Sequence, residues 1–169
     1  MKRKQSISAV ECKEAIGLAG EYAVASELCK RGFYAQLTLG NHKKTDLLVE
    51  TENQLFRVSV KSKTGYAWPR VTGISKKGDI IVFVDFNQKT DSHRPDFYVL
   101  NVQNWIALIK KLQKSKSGNG KIDKDTNTLY WEPCDGYEKG WKGCSIKLSD
   151  VLEYKECWPV LDAGNHCEP

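Results

Sequence analysis

Apolar residues recur at helical spacing over residues 8–31, where Ile16, Ala19, Ala23, Val24 and Leu28 form a stripe. Ser8 is placed to cap this helix, with Glu11 three residues on as its capping-box partner, and Gly32 ends it. The period then changes. Residues 33–39, 45–51 and 55–63 read as strands, joined by a polar turn at 40–44 and a tight connection at Glu52-Asn53. Gly65, Pro69, Gly73 and Gly78 mark 64–78 as a loop or an irregular segment. Residues 79–86 are an almost unbroken apolar run, as a central strand buried on both faces requires. A strand at 96–102 follows, then a helix at 102–116 whose stripe is Val102, Trp105, Ile106, Leu108, Ile109 and Leu112. Residues 115–127 have loop composition, 128–131 form a short strand, and 149–156 form a short helix capped by Ser149. Helix, three-strand meander, strand, strand, helix predicts an α/β fold: a three-layer α/β/α sandwich around a central mixed sheet.

The hairpin over 45–63 is informative on its own. With Glu52-Asn53 at the centre of the turn, Asp46 falls opposite Ser59. Alternation then puts Asp46, Leu48, Glu50, Leu55, Arg57, Ser59 and Lys61 on one face. The other face, Leu47, Val49, Phe56, Val58 and Val60, is wholly apolar and belongs in the core. A slip of one residue would destroy this segregation, so the pattern specifies the register. Such a polar face suits a solvated hairpin with a cross-strand salt bridge as well as it suits a chemical site. Glu21 separates the two, because it sits among Gly17, Leu18, Val24 and Ala25 on a helix expected to lie close to the sheet. A glutamate there needs a partner, a metal or a path to solvent.

Composition adds bounds. The 169 residues suit one domain. It is expected over residues 1–162, with a core at about 8–116, a Trp-rich extension at 128–162 and an unstructured tail at 163–169. The net charge of +5 permits a polyanionic partner without requiring one. No apolar run is long enough to span a membrane. The basic start Met-Lys-Arg-Lys is followed by no apolar segment, so a cytoplasmic protein with reduced thiols is expected. Cys134, Cys144, Cys157 and Cys167, with His166, lack the close pairs of structural zinc sites, so ordinary thiols are expected there.

A helix glutamate, an aspartate opening a strand, and an acid-x-lysine near the end of the next strand make up the signature of the PD-(D/E)XK nucleases. Glu21…Asp46…Ser59-Val60-Lys61 resembles it, with Ser59 in the place of the second acid. The intervals, 25 residues from Glu21 to Asp46 and 13 from Asp46 to Ser59, are similar to those of small resolvase-like members, and the resemblance covers residues 13 to about 102. It implies a restriction-endonuclease-like fold and metal-dependent hydrolysis of phosphodiester bonds in DNA. It also implies Mg²⁺ (or Mn²⁺) held by Asp46, Glu21 and the Val60 carbonyl. Lys61 would orient the attacking water or offset charge on the phosphate. Some relatives carry Gln where this chain has Ser59. Members of the fold often dimerise, so a homodimer is compatible with the resemblance. Around the expected cleft stand His42, Lys43, Lys44, Lys63, Arg70, Lys76 and Lys77, charges suited to a DNA backbone, while Tyr66 and Trp68 are expected to pack. Two other readings stay open. Ser59 fits a degenerate nuclease fold that binds DNA or a protein without cutting. The Trp-rich last third fits a structural subunit of a larger complex.

Overall fold

The computed structural model describes residues 9–38, 45–52, 54–115, 119–133 and 140–161. Its first element is α1 (Ala9–Lys30), closed by Gly32, whose φ of 85° is a left-handed conformation that glycine adopts without strain. Ser8 and the Glu11 side chain, the expected capping box, lie outside the described residues. Three strands follow: β1 (Tyr34–Leu37), β2 (Leu47–Glu50) and β3 (Leu55–Lys63). They form an antiparallel meander in which Leu47 pairs Val58 and Val49 pairs Phe56. That is the register the alternation specifies, and all five residues of the apolar face are buried.

A short strand, β4 (Ala67–Val71), precedes β5 (Asp79–Asp85), which pairs in parallel with β3. β6 (Asp96–Asn101) pairs antiparallel with β5, so the central sheet is mixed and ordered β1-β2-β3-β5-β6. Along β5, Ile80, Val82 and Val84 enter one core and Ile81 and Phe83 the other, which accounts for the unbroken apolar run. α1 covers the first face through Val24 and Leu28. α2 (Val102–Ser115) covers the second through Trp105, Leu108, Ile109 and Leu112. The architecture is therefore α/β/α around a mixed sheet, as expected. No described helix is long and apolar enough to cross a membrane.

The last third departs most from expectation. β7 (Lys121–Asp123), β8 (Thr128–Trp131) and β9 (Trp141–Lys142) form a small sheet, and β10 (Cys144–Lys147) pairs with β4. Segment 64–78 is thus not all loop. Its strand is interrupted by Pro69, which has no N–H to donate, and by Arg70 at φ 53°, and the pairing with β10 shifts register beside them. β7 lies in the segment expected to be loop, because three residues are too few to show a period. The expected helix at 149–156 is only α3 (Leu148–Val151) continued by a 3-10 turn, Leu152–Tyr154, and Lys147 rather than Ser149 precedes its first turn. These segments feed both cores: Ile146, Val151 and Tyr154 join the α2 side, Trp158 and Leu161 the α1 side.

Individual residues also differ. On α1 the buried line is Gly20, Val24, Glu27 and Leu28, while Ala19 is exposed. Trp68 packs and its indole donates to the Val84 carbonyl, but Tyr66 is 90% exposed. Cys157 is disulfide-bonded rather than the reduced thiol expected. Cys134, His166, Cys167 and the tail at 163–169 lie outside the described residues.

Candidate active site

β2 begins one residue after Asp46, at the point where the chain enters the sheet. The Asp46 N–H donates to the Val58 carbonyl at 2.8 Å, and its own carbonyl accepts from Thr38 N at 3.0 Å. The ladder itself ends at Leu47 and Val58, so the expected Asp46–Ser59 pair lies one step beyond its last rung, where the Asp46 N–H still bonds to Val58. β3 continues past this point with β5 on one side only. Its next inward N–H, that of Val60, would be left without a strand partner. Asp46 supplies one: its Oδ2 accepts from Val60 N at 2.6 Å. A buried backbone donor needs an acceptor, and here a carboxylate serves in place of a strand. The carboxylate is thereby held at the splay between β2 and β3.

Lys61 reaches the same place. Its Nζ donates to Ser59 Oγ at 2.9 Å and to the Val60 carbonyl at 3.1 Å, and lies 3.9 Å from Asp46 Oδ2. Ser59 is 8% exposed, so its hydroxyl holds the ammonium from below rather than facing solvent. Glu21 arrives from α1, half-buried. Burial pushes its carboxyl above the usual range, the nearby Asp46 charge pushes the same way, and Lys61 partly opposes them. Glu21 therefore stands within electrostatic reach of both residues and, among the described residues, has no hydrogen-bond donor on its carboxylate. Asp46 and Lys61, predicted from separate strands, meet here at 3.9 Å, and Glu21 is the helix residue within electrostatic reach of them.

Glu50 is on the same side of β2 but at the hairpin end, paired with Leu55. Four residues of strand put it about 13 Å from Asp46, too far to replace the acid missing at Ser59. Among the described residues no group of three or more His, Cys, Asp or Glu side chains is placed to hold a metal. The remaining donors are all oxygen: two carboxylates, Asp46 and Glu21, and the Val60 carbonyl. The Lys61 ammonium already sits among Asp46 Oδ2, Ser59 Oγ and Val60 O, so this cluster accepts a cation. Donors of this kind are of the hard type that Mg²⁺ and Mn²⁺ prefer.

The expected basic rim is divided. Lys43 and Lys44, with His42, lie outside the described residues. Lys63 is not on a rim: it is 5% exposed, ion-paired to Asp85 at 2.6 Å and stacked over the Trp68 ring. Arg70 is exposed, with its guanidinium over the ring of Trp141. Lys76 lines a cleft of about 150 Å³ together with Thr45, Arg57 and Asp79, next to Asp46 in the chain. Lys77 opens on a different cleft, with Gln54, Phe56 and Asn101. Lys76 and Lys77 flank the start of β3, where Arg57 pairs with Asp79 at 2.7 Å, and not the Lys61 end.

Sequence reasoning missed Gly20. A Cβ at this position would stand 1.8 Å from Ser62 Oγ, so α1 crosses β3 in van der Waals contact one residue before Glu21. Glycine inside a helix costs roughly 1 kcal/mol relative to alanine, which is a signal of close approach. Gly17 in the same helix meets nothing within 4 Å, so the signal could not have chosen between them.

No family model matches the chain, and no curated protein matches it. Among solved structures it is similar to a bacterial homing endonuclease, at 18% identity and a TM-score of 0.46, over 88% of this chain and 91% of that one. It is also similar to the Holliday junction resolvase of the archaeal hyperthermophile Archaeoglobus fulgidus. There the identity is 14% and the TM-score 0.40, over 80% of this chain and 87% of that one.

Proposed function

We propose that the chain is a metal-dependent endonuclease of the PD-(D/E)XK type, hydrolysing phosphodiester bonds in DNA. The observation that carries this reading is Asp46 held by the Val60 N–H with the Lys61 ammonium 3.9 Å away, and the part-buried Glu21 within electrostatic reach of both supports it. Asp46, Glu21 and the Val60 carbonyl would hold the metal. Bound Mg²⁺ supplies polarisation of the phosphodiester and lowers the pKa of its water. The chain's own residues do the rest. The Val60 N–H fixes the Asp46 carboxylate through Oδ2, the oxygen that also faces the Lys61 ammonium. Ser59 Oγ and the Val60 carbonyl steady the Lys61 ammonium, which donates to a phosphate oxygen as charge develops there. Glu21, without a protein donor, is available to a metal or to its water. Lys76, exposed in the cleft that Thr45 lines, would supply positive charge for DNA backbone beyond the Lys61 end.

A second reading rests on Ser59. With one acid fewer, Lys61 bonds to Ser59 and Val60 and faces Asp46, so the site neutralises itself. This favours a module that binds DNA without cutting it.

Incubation with linear, supercoiled and branched DNA in Mg²⁺ or Mn²⁺ tests both. The nuclease reading expects cleavage by the wild type, lost by at least about a hundredfold in Asp46→Ala and in Lys61→Ala. Cleavage that survives unchanged in both variants would rule out the assigned site. Salt-sensitive binding without cleavage would favour the second reading.

A further inference from the structure

Two small residues meet where α1 crosses β3. Gly20 is buried, and a Cβ there would lie 1.8 Å from Ser62 Oγ, 3.0 Å from Ser62 Cβ and 3.5 Å from Val60 Cγ1. Rotating Ser62 would remove the first contact but not the second, because Cβ does not move with χ1. Any side chain at position 20 must therefore lift the helix. Ser62 is restrictive from its own side: its hydroxyl is buried and has no hydrogen-bond partner among the described residues. An unpaired hydroxyl in such a place is a cost, and any residue larger than serine would press on the helix. The contact is bracketed by the candidate site. Glu21 follows Gly20 on α1, and Val60 and Ser62 flank Lys61 on β3.

We propose that Gly20 and Ser62 are positioning residues: their contact sets how closely α1 lies on β3, and so how far Glu21 reaches toward Asp46 and Lys61. Neither touches a reacting atom. The catalytic consequence rests on the nuclease reading, whereas the geometric claim does not. Displacing a reacting group by about 1 Å costs on the order of a hundredfold in rate. The Glu21 carboxylate, with no hydrogen-bond donor among the described residues, has no second anchor to correct such a shift.

The test compares Gly20→Ala, Ser62→Gly, the double variant and Gly17→Ala, the last being an open position on the same helix. The first readout is the NMR resonance of the Glu21 carboxyl carbon and its response to Asp46→Asn. That response is expected in the wild type and in Gly17→Ala, diminished in Gly20→Ala, and regained when Ser62→Gly makes room for the new methyl. The second readout is DNA cleavage: the helix must give by a few tenths of an ångström, so kcat falls severalfold in Gly20→Ala with KM little changed, and recovers in the double variant. Should Gly20→Ala not fold, Ser62→Thr presses on the helix from the strand side and is expected to give the same loss. An undiminished Glu21 response in Gly20→Ala or Ser62→Thr would overturn the inference. So would a loss that the double variant does not regain. A wild type that shows the coupling but does not cut DNA would end the nuclease reading and leave the positioning contact standing.

Discussion

Two glutamates on α1, six residues apart, are treated in opposite ways. Glu27 is 6% exposed and surrounded by cations: Lys30 and Arg31 from its own helix, and Arg94, which binds both of its oxygens. Arg94 and Arg31 continue to Glu156, and the Arg31 guanidinium lies over the Trp158 ring. The Arg94 hydrogen bonds in particular hold the Glu27 carboxyl at about 2, against the desolvation that would raise it. Glu21 has no such partners, and burial beside Asp46 pushes its carboxyl up. Two lysines on β3 repeat the contrast. Lys63 is sealed against Asp85 and Trp68, whereas Lys61 is a third exposed and stands 3.9 Å from its acid. The same helix and the same strand thus carry one residue that the fold has neutralised and one that it has left under-paired. Under-paired, partly buried charges are where a ligand can be met.

The contrast can be broken by mutation. Lys63→Ala removes one member of a buried ion pair and strands the Asp85 charge, so it is expected to cost about 3 kcal/mol of unfolding free energy. Lys61→Ala, losing a part-exposed ammonium, is expected to stay within about 0.5 kcal/mol of wild type. Equal urea midpoints for the two would end the distinction between them. Glu27→Gln comes next. Arg94 and Arg31 keep access to water, so the loss is discounted to about 2 kcal/mol. Because the folded carboxyl lies at about 2 against an ordinary 4.5, its stabilisation is fully present above pH 4.5 and disappears as pH falls through 2. The wild type should therefore lose stability more steeply than Glu27→Gln over that window. Parallel acid unfolding curves would show that the cluster adds nothing.

Legibility in the sequence followed the strength of the pattern. The hairpin register was readable because one face of β2 and β3 is apolar without exception, and it placed Asp46 against Ser59 before any coordinates. β5 and α2 were readable for the same reason, having a full apolar run and a full stripe. β4, β7 and β9 were not. They hold five, three and two residues, too few to show a period, and β4 exists by pairing with β10, far along the chain. Within the site, residue types pointed to Glu21, Asp46 and Lys61 but not to their environments. Nothing in the sequence distinguishes Lys61, beside Asp46, from Lys63, under Trp68, because the difference arises from Asp85, the register partner of Lys63 on the neighbouring strand. Gly20 was hidden because its importance belongs to Ser62 across the interface.

The smallest expected effect decides most about Glu21. A carboxyl raised on folding adds stability that is fully present below its unfolded pKa and is lost as pH rises through the folded value. At neutral pH the ionised Glu21 is therefore a burden on the folded state, with its largest source in burial and the next in Asp46. Glu21→Gln removes that charge. Measured with a chelator present, it is expected to lie within about 0.5 kcal/mol of wild type at pH 7 and on the stable side of it. The advantage should shrink below the carboxylate range, where the wild-type side chain takes up its proton. DNA cleavage, by contrast, should be lost. A residue that weakens the fold while ionised and yet is required for cleavage is held for its chemistry. A Glu21→Gln variant as unstable as Glu27→Gln would show instead that both glutamates serve the scaffold, and would remove Glu21 from the site.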